Sequence, residues 1–314
     1  MAVRLPNFLV AGVPKAGTTT LHQHLREHPD IFLPDKKELH YFSSRYLEQA
    51  VAGPGDRAVV ERICRTLEQY QSYFGGADRQ RAVGEVSPSY FFFADCIPEI
   101  KCALGDGVRI IIVLRQPVER AYSNWLHLVN AGREKLDFRS ALAAEGERQQ
   151  AGWGDFWRYR QHSLYADRLQ SYLEAFPRPQ VKVLLFEQIA SDTLGAVQEV
   201  CRFLGVDEEF IPPNLGVVYG RGGAPRNALL EWFIRNASAA AAKVKPAVPR
   251  GWYGNLRRTK DRLAAQNRGK GGAPGLDDET YRELMAFFED DIRRTEELLG
   301  RSLEIWRKSK RVGE

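Results

Sequence analysis

Glycines, a lysine and two threonines near the start of the chain form the segment best suited to chemistry, Gly12-Val-Pro-Lys-Ala-Gly-Thr-Thr. Glycines allow backbone N–H groups to converge on one point, and a helix that starts there adds partial positive charge. Such a turn binds an anion, most commonly a phosphate. The sequence therefore predicts a phosphate-binding loop formed by Pro14, Lys15, Ala16, Gly17, Thr18 and Thr19.

The loop differs from the ATP-binding loop of kinases and GTPases, in which a lysine directly follows the second glycine. Here Thr18 takes that place, and the lysine stands inside the loop at position 15. Those enzymes also need a carboxylate that helps to hold Mg²⁺, and no apolar run of this sequence ends in a clear aspartate for that role. A kinase or nucleotidase is thus an alternative that the position of the lysine disfavours.

A second candidate anion site follows the apolar run Val108–Leu114. Arg115 comes directly after this run, where α/β sheets bind ligands, and its guanidinium can hold a phosphate through two hydrogen bonds. Ser123 lies two helical turns further on and can reach the same anion. The alternative is an ordinary ion pair between Arg115 and Glu119, one turn later. Because a phosphate loop accompanies this arginine, we favour phosphate binding.

Apolar strands and amphipathic helices alternate along the chain and must position these groups. Such alternation is typical of a parallel sheet that is covered on both faces. We predict an α/β fold with one central, mainly parallel sheet flanked by helices, in which the phosphate loop forms a P-loop-like strand-loop-helix unit. The predicted strands are 7–12, 82–85, 108–114 and 181–186, and the predicted helices are 18–28, 57–74, 117–129, 138–150, 163–175, 191–204, 225–240 and 277–299.

Six segments in the expected order resemble the PAPS-dependent sulfotransferases, especially their carbohydrate (heparan-sulfate-type) and bacterial branch. PAPS is 3′-phosphoadenosine-5′-phosphosulfate. The phosphate loop resembles the family's 5′-phosphosulfate loop, and the segment with Arg115 and Ser123 resembles its 3′-phosphate motif. The likeness covers nearly the whole chain. The segments are Pro14-Lys-Ala-Gly-Thr-Thr, Leu25-Arg-Glu-His-Pro-Asp-Ile, Lys36-Lys-Glu-Leu-His-Tyr-Phe, Gly84-Glu-Val-Ser-Pro-Ser-Tyr, Leu114-Arg-Gln-Pro-Val-Glu-Arg-Ala-Tyr-Ser-Asn and Leu298-Leu-Gly-Arg-Ser-Leu-Glu-Ile-Trp.

The resemblance implies a sulfonate transfer from PAPS, with PAP as the product, to a hydroxyl or, as a weaker alternative, an amine. It implies that Lys15 stabilises the leaving phosphate oxygen and that Glu38 is the general base. His40 would orient Glu38 or touch the acceptor if the segment is extended. Two structural alternatives stay open, in which Glu38 is a solvated partner of the neighbouring lysines and His40 is a packed core residue. We interpret His127 and His162 as structural.

The segment Val217-Val-Tyr-Gly-Arg-Gly-Gly-Ala-Pro-Arg-Asn resembles the family segment that closes over the 3′-phosphate. Arg221, Gly222 and Gly223 are its candidate contacts, and an ordinary glycine turn is the alternative. Residues 243–274 contain nine lysines or arginines and one acidic residue, Asp261, so this stretch alone exceeds the net charge of +5 of the whole chain. It could attract an anionic acceptor, or it is a solvated surface.

Composition limits the remaining possibilities. The chain of 314 residues is predicted to be a single domain, 1–314, with the basic Pro/Gly-rich stretch as an excursion at about 240–275. We expect no transmembrane segment and a cytoplasmic location, because long apolar runs and a signal peptide are not evident. We also expect no nucleic-acid partner, because the excess of basic residues is confined to one segment.

Neither the cysteines nor the histidines predict a metal site. We expect the four cysteines to be buried free thiols. His24-Leu-Arg-Glu-His28 matches a zinc-protease pattern, but no convincing third ligand accompanies it, and we predict no metal. The acceptor remains open among small molecules, glycans and lipids, including anionic ones, and a catalytically inactive relative remains an alternative.

Overall fold

Five short parallel strands form the centre of the fold, in the order β2-β3-β1-β4-β5. The structure is a computed structural model, and it describes residues 4–217 and 276–308. The predicted helix 225–240 and the basic excursion lie outside these residues, and the prediction of a single domain stays a prediction. The strands are β1 (Phe8–Gly12), β2 (Ile31–Phe32), β3 (Ala82–Val86), β4 (Arg109–Leu114) and β5 (Val181–Leu185).

Helices flank this sheet, which confirms the predicted α/β class. Within the described residues they are α1 (Thr18–Leu25), α2 (Ser44–Leu47), α3 (Asp56–Val60), α4 (Leu67–Ser72), α5 (Ser89–Phe92), α6 (Ile97–Leu104), α7 (Pro117–Asn130), α8 (Phe138–Ala143), α9 (Glu145–Gln150), α10 (Ala166–Ala175), α11 (Phe186–Ser191), α12 (Thr193–Leu204), α13 (Asp278–Leu299) and α14 (Glu304–Arg307). None of the helices in the described part of the chain has the length and apolarity to cross a membrane.

The strand order places three important segments beside one another. Strand β1 pairs with β3 on one side and with β4 on the other. Because the carboxyl ends of parallel strands meet at one edge of a sheet, the loop after β1, the segment after β3 and the segment after β4 all start at that edge. These segments begin with Val13, Ser87 and Arg115, respectively.

The core is closely packed around β1, whose five residues are all buried. A Cβ atom at Gly12 would lie 2.4 Å from Cβ of Phe91, so only glycine lets α5 approach the strand this closely. On another side, Asp291 of α13 accepts hydrogen bonds from the backbone N–H groups of Tyr165 (2.7 Å) and Ala166 (3.0 Å). This carboxylate caps the start of α10 and fixes the long C-terminal helix to the domain.

Several predicted boundaries are wrong, and local hydrogen bonds explain the largest error. The predicted helix 57–74 is two helices, because Thr66 caps α4 by accepting a hydrogen bond from Gln69 N–H and the Cys64 N–H bonds to Leu39 O. The predicted helix 138–150 is likewise divided into α8 and α9, and the two-residue strand β2 was not predicted. Cys102 also departs from expectation, since it is exposed on α6, whereas the other three cysteines are buried free thiols.

Candidate active site

The phosphate loop lies at its predicted place, between the end of β1 and the start of α1. Gly17 has φ of 86°, and a Cβ there would lie 2.9 Å from the ring of Phe186, so both backbone conformation and space favour glycine. Lys15 also has a positive φ, 72°, which is unfavourable for a residue with a Cβ by roughly 1–2 kcal/mol. The loop therefore holds its lysine in a conformation that the surrounding structure must impose.

The start of α1 offers hydrogen-bond donors to an anion. No side chain caps the helix at Gly17, so the first amides of α1 depend on another partner. Thr18 and Thr19 are the first two residues of this helix, and their hydroxyls belong to the same site. Ala16 is buried and closes the loop through a 3.3 Å bond from its N–H to Val13 O, and Pro14 is half-buried.

Arg115 follows β4 and ties the second candidate site to the phosphate loop. Its guanidinium donates to Lys15 O at 3.0 Å and to Glu119 at 3.1 Å, and it lies over the Phe186 ring at 4.4 Å. The ion pair with Glu119 therefore forms, but with both side chains only 11% exposed it is not the solvated surface pair of the alternative interpretation. Ser123 is half-buried in α7. A 3′-phosphate role for both residues stays a prediction.

The candidate base lies in a loop with an unusual backbone. Glu38 and His40 both have positive φ, 65° and 55°, so the expectation of an extended segment is wrong. Two hydrogen bonds impose this conformation: Glu38 N–H donates to Val86 O at 2.9 Å, and His40 N–H donates to the Ser87 hydroxyl at 2.9 Å. Both partners belong to the end of β3 and the residue that follows it, so the sheet edge fixes this loop.

Side-chain hydrogen bonds hold the imidazole of His40. Its Nδ1 lies 2.6 Å from the Ser89 hydroxyl, which is 2.7 Å from the Ser43 hydroxyl. Because one ring nitrogen is engaged in this way, the orientation of the imidazole is set by α5 and the start of α2. His40 is half-buried, and its proposed role towards Glu38 or the acceptor stays a prediction.

A buried carboxylate stabilises the loop that contains Glu38 and His40. Glu85 on β3 is 1% exposed and accepts hydrogen bonds from three hydroxyls, those of Ser87, Tyr70 and Tyr90. Burial raises the pKa of Glu85, although the three hydroxyl donors act in the opposite direction. The Ser87 hydroxyl also accepts a hydrogen bond from the His40 N–H. Glu85 therefore orients the hydroxyl that holds the base loop, the segment 36–40. The segment Gly84-Glu-Val-Ser was noted in the sequence, but this role of Glu85 was not predicted.

Lys37 is the second functional residue that the sequence analysis missed. Its ammonium lies 2.8 Å from Glu38 Oε1, 3.0 Å from the Thr19 hydroxyl and 3.3 Å from the Thr18 hydroxyl. One cation thus touches both the candidate base and the helix start that belongs to the phosphate loop. The paired lysines before Glu38 were a visible signal, but the sequence does not tell which of the two faces the site.

These charges determine the ionisation of the site. Burial raises the pKa of Glu38, but Lys37, His40 and His127 lower it by more, and the resulting pKa is about 2. Burial lowers the pKa of His40 despite the opposing effects of Glu38 and Asp155. At neutral pH, Glu38 is therefore a carboxylate and His40 a neutral imidazole, which are the forms that can accept a proton.

A further acid and two histidines lie around this centre. Asp155 raises the pKa of His40 and lies 3.2 Å from Nε2 of His162, with its side chain 13% exposed. His162 is buried, stacks on Phe92 at 3.7 Å between ring centroids, and has a pKa lowered by burial to about 4. This packing agrees with a structural interpretation of His162. His127 lies exposed on α7 and acts on Glu38 through its charge.

The remaining predicted residues divide into two groups. Arg221, Gly222 and Gly223 lie outside the described residues, as does the basic stretch 243–274. His24 Nδ1 lies 2.8 Å from Asn214 Oδ1, and His28 Nε2 lies 2.9 Å from Asp207 O, so both histidines of the zinc-like pattern have protein partners. Residues 4–217 and 276–308 contain no group of three or more side chains that could hold a metal ion.

Known proteins share this architecture and these segments. A family profile described as "Sulfotransferase domain" matches residues 5–214. A crystal structure of a sulfotransferase from Alicyclobacillus acidocaldarius is 33% identical and superposes with a TM-score of 0.76, covering 97% of this chain and 100% of the other. A mouse sulfotransferase solved with PAP, SULT7A1, is 15% identical with a TM-score of 0.51 over 99% of this chain and 91% of the other, a likeness in fold.

Among curated proteins, mouse heparan sulfate glucosamine 3-O-sulfotransferase 3A1 is 30% identical over 204 residues, which are 65% of this chain and 46% of that protein. The chain thus spans about half the length of this relative. The matched profile covers the phosphate loop, the base loop and the segment with Arg115. The chain belongs to the sulfotransferase family.

Proposed function

We propose that this protein transfers a sulfonate group from PAPS to a hydroxyl of an acceptor, with Glu38 as general base and Lys15 at the leaving oxygen. The acceptor oxygen forms a bond to sulfur, and the bond from sulfur to the donor's phosphate oxygen breaks. The electron pair of that bond stays on the phosphate of PAP. The proton of the acceptor hydroxyl passes to the Glu38 carboxylate and then to solvent, so the step is balanced without a metal or a redox partner.

The donor end of this reaction fits the phosphate loop. Negative charge grows on the leaving phosphate oxygen, and preorganised donors aimed at it lower the barrier. Lys15, the first amides of α1 and the hydroxyls of Thr18 and Thr19 form one such set. Arg115, anchored to Lys15 O, would hold the 3′-phosphate together with Ser123.

The acceptor end fits Glu38. A base must lie within hydrogen-bond reach of the proton that it removes and must be ionised at working pH. With its side chain 47% exposed, Glu38 is accessible to an acceptor, and its low pKa keeps it ionised.

The observation that carries this proposal is the contact of Lys37 with both ends of the site. A single ammonium bonds Glu38 and the two threonine hydroxyls at the start of α1. The base and the anion site therefore face one common point, which in-line transfer between them requires.

The acceptor is proposed as a hydroxyl compound, with an amine as the weaker option. The heparan sulfate relative supports a sugar hydroxyl, and a small molecule or a lipid would satisfy the same chemistry. A cytoplasmic location and the absence of a nucleic-acid partner stay predictions.

The test combines donor binding with transfer. Calorimetric titration with PAP, with ATP·Mg²⁺ as the control ligand, should show binding of PAP at least about tenfold tighter than that of ATP, since only PAP carries the 3′-phosphate. Incubation with sulfur-labelled PAPS and a panel of sugar, phenol and steroid hydroxyls and amines should then label an acceptor. Binding of ATP without binding of PAP would overturn the proposal and favour a kinase. PAP binding with no release of labelled sulfate or product in any condition would indicate an inactive relative.

A further inference from the structure

Lys37 has no free hydrogen-bond donor in the structure. A lysine ammonium carries three N–H donors, and the three acceptors around Nζ are Glu38 Oε1, Thr18 Oγ1 and Thr19 Oγ1. The side chain is 17% exposed, so solvent contributes little to its surroundings. Any new anion that approaches this ammonium must replace one of these three partners.

The threonine contacts are compatible with a bound donor, whereas the Glu38 contact competes with it. A hydroxyl that accepts a hydrogen bond from Lys37 still has its own proton to donate to a phosphate. The Glu38 carboxylate, by contrast, occupies one of the three donor positions of the ammonium with an oxygen that has no proton to donate. The transferring sulfonate must lie between the start of α1 and Glu38, and it is an anion like the carboxylate.

We propose that Lys37 couples donor binding to the base: it bonds Glu38 before the donor arrives and then exchanges that bond for an oxygen of the transferring sulfonate. This inference rests on the proposed function. The exchange would have two effects, because it adds a positive charge beside the sulfonate and frees the carboxylate oxygen for the acceptor proton. It follows that the donor binds productively before the acceptor.

The electrostatics of the site support this exchange. Among the neighbours that lower the pKa of Glu38, Lys37 has the largest effect, followed by His40 and then His127. Withdrawal of the ammonium towards the sulfonate would remove the strongest of the charges that lower this pKa. The carboxylate would thus become a stronger base only when a donor is present to use it.

The neighbouring lysine provides a matched control. Lys36 carries the same charge one residue earlier, but its ammonium donates to Arg62 O at 2.5 Å and to the Tyr73 hydroxyl at 3.1 Å, away from the helix start. Lys36→Met and Lys37→Met therefore remove the same group from the same loop, and only the second removes it from the site. Lys37→Gln keeps a polar side chain without the charge, and it serves if the methionine variant does not fold.

The experiment measures the affinities of PAP and PAPS by calorimetry without acceptor. PAP lacks the sulfonate, so Lys37→Met should weaken PAPS binding by about tenfold or more and PAP binding by less than about threefold. Lys36→Met should leave both affinities within about twofold. Glu38→Gln, which removes the competing carboxylate, should strengthen PAPS binding severalfold with PAP unchanged, and the gain should vanish in the double variant with Lys37→Met.

The outcomes separate this inference from the function on which it rests. Equal losses of PAP and PAPS in Lys37→Met would make Lys37 an ordinary phosphate or structural contact, and unchanged PAPS affinity in Glu38→Gln would remove the competition; either result overturns the inference alone. If the unmodified protein binds neither PAP nor PAPS, the proposed function itself fails.

Discussion

The two loops that meet at the active site are built in opposite ways. The donor-side loop, Val13–Gly17, relies mainly on glycine, helix amides and the end of a central strand, although Lys15 within it also has a positive φ. The acceptor-side loop, 36–40, contains no glycine, and two of its residues adopt positive φ because side chains and a strand end hold them. Anion binding therefore depends mainly on topology, whereas the placement of the base depends on a buried side-chain network.

The largest effect should come from the acceptor-side loop. Glu38→Gln removes the proton acceptor but keeps the size of the side chain, so kcat should fall by about 10²–10⁴-fold, the usual contribution of a general base. PAP affinity should stay within about threefold, because PAP contacts the donor side. Steady-state rates with labelled PAPS and calorimetry with PAP measure the two quantities. A normal rate in this variant would show that another group is the base.

The donor-side lysine should give the next largest effect. Lys15→Ala removes a positive charge from the leaving oxygen, so kcat should fall by about 10²–10³-fold, as for loss of one oxyanion donor. The same substitution keeps a Cβ at a positive φ, so alanine suffers a similar strain and the thermal midpoint should change little. A turnover within a few-fold of the original would remove the leaving-group role of Lys15.

Sequence patterns predicted where the donor-side residues of the described chain lie in the fold, and their roles in phosphate binding stay predictions. Gly12, Gly17 and Arg115 stand at fixed offsets from apolar runs, and parallel strands bring their ends together whatever the side chains elsewhere. The ion pair of Arg115 with Glu119 was weighed as an alternative, but the bond from its guanidinium to Lys15 O was not predicted, because that contact depends on how the phosphate loop packs against the end of β4.

The acceptor side could be predicted only in part. Glu38 was identifiable by resemblance, but the backbone around it was not, since positive φ at Glu38 and His40 depends on Val86 and Ser87, nearly fifty residues away in sequence. Lys37 could not be distinguished from Lys36 for the same reason. A helical periodicity also concealed the break before Thr66, where Cys64 N–H bonds to Leu39 O and braces this loop.

Substitution of Glu85, the buried carboxylate that stabilises the acceptor-side loop, should have an intermediate effect. Glu85→Gln replaces an acceptor of three hydroxyls by an amide that can no longer accept at both ends, so at least one of Ser87, Tyr70 and Tyr90 loses its partner. The free energy of unfolding should fall by about 1–3 kcal/mol. Because Ser87 holds His40 N–H, kcat should also fall by about tenfold.

A surface carboxylate is the matched control for this variant. Glu99 pairs with Arg45 at 2.6 Å, with both side chains about half exposed, and Glu99→Gln should change stability by less than about 1 kcal/mol. Chemical denaturation, with kcat and PAP affinity in parallel, distinguishes the roles. Equal losses of PAP binding and kcat in Glu85→Gln would mean that Glu85 supports the whole edge of the sheet rather than the acceptor-side loop.

The smallest effect is expected from pH, and its direction follows from the acceptor-side charges. Lys37, His40 and His127 hold the pKa of Glu38 at about 2, so the carboxylate loses its proton-accepting form only as pH falls towards that value. The pKa of His40 lies below its usual value of 6.5, so the imidazole is neutral at pH 7 and above. The kcat/KM for the donor reports the free enzyme and should vary by less than about threefold between pH 7 and 8. An acid limb with a midpoint at or above the ordinary glutamate value of 4.5 would contradict the pairing of Glu38 with Lys37. In Lys37→Met such a limb should move upward, because the strongest charge that lowers the pKa of Glu38 is then absent, whereas Lys36→Met should retain the original profile.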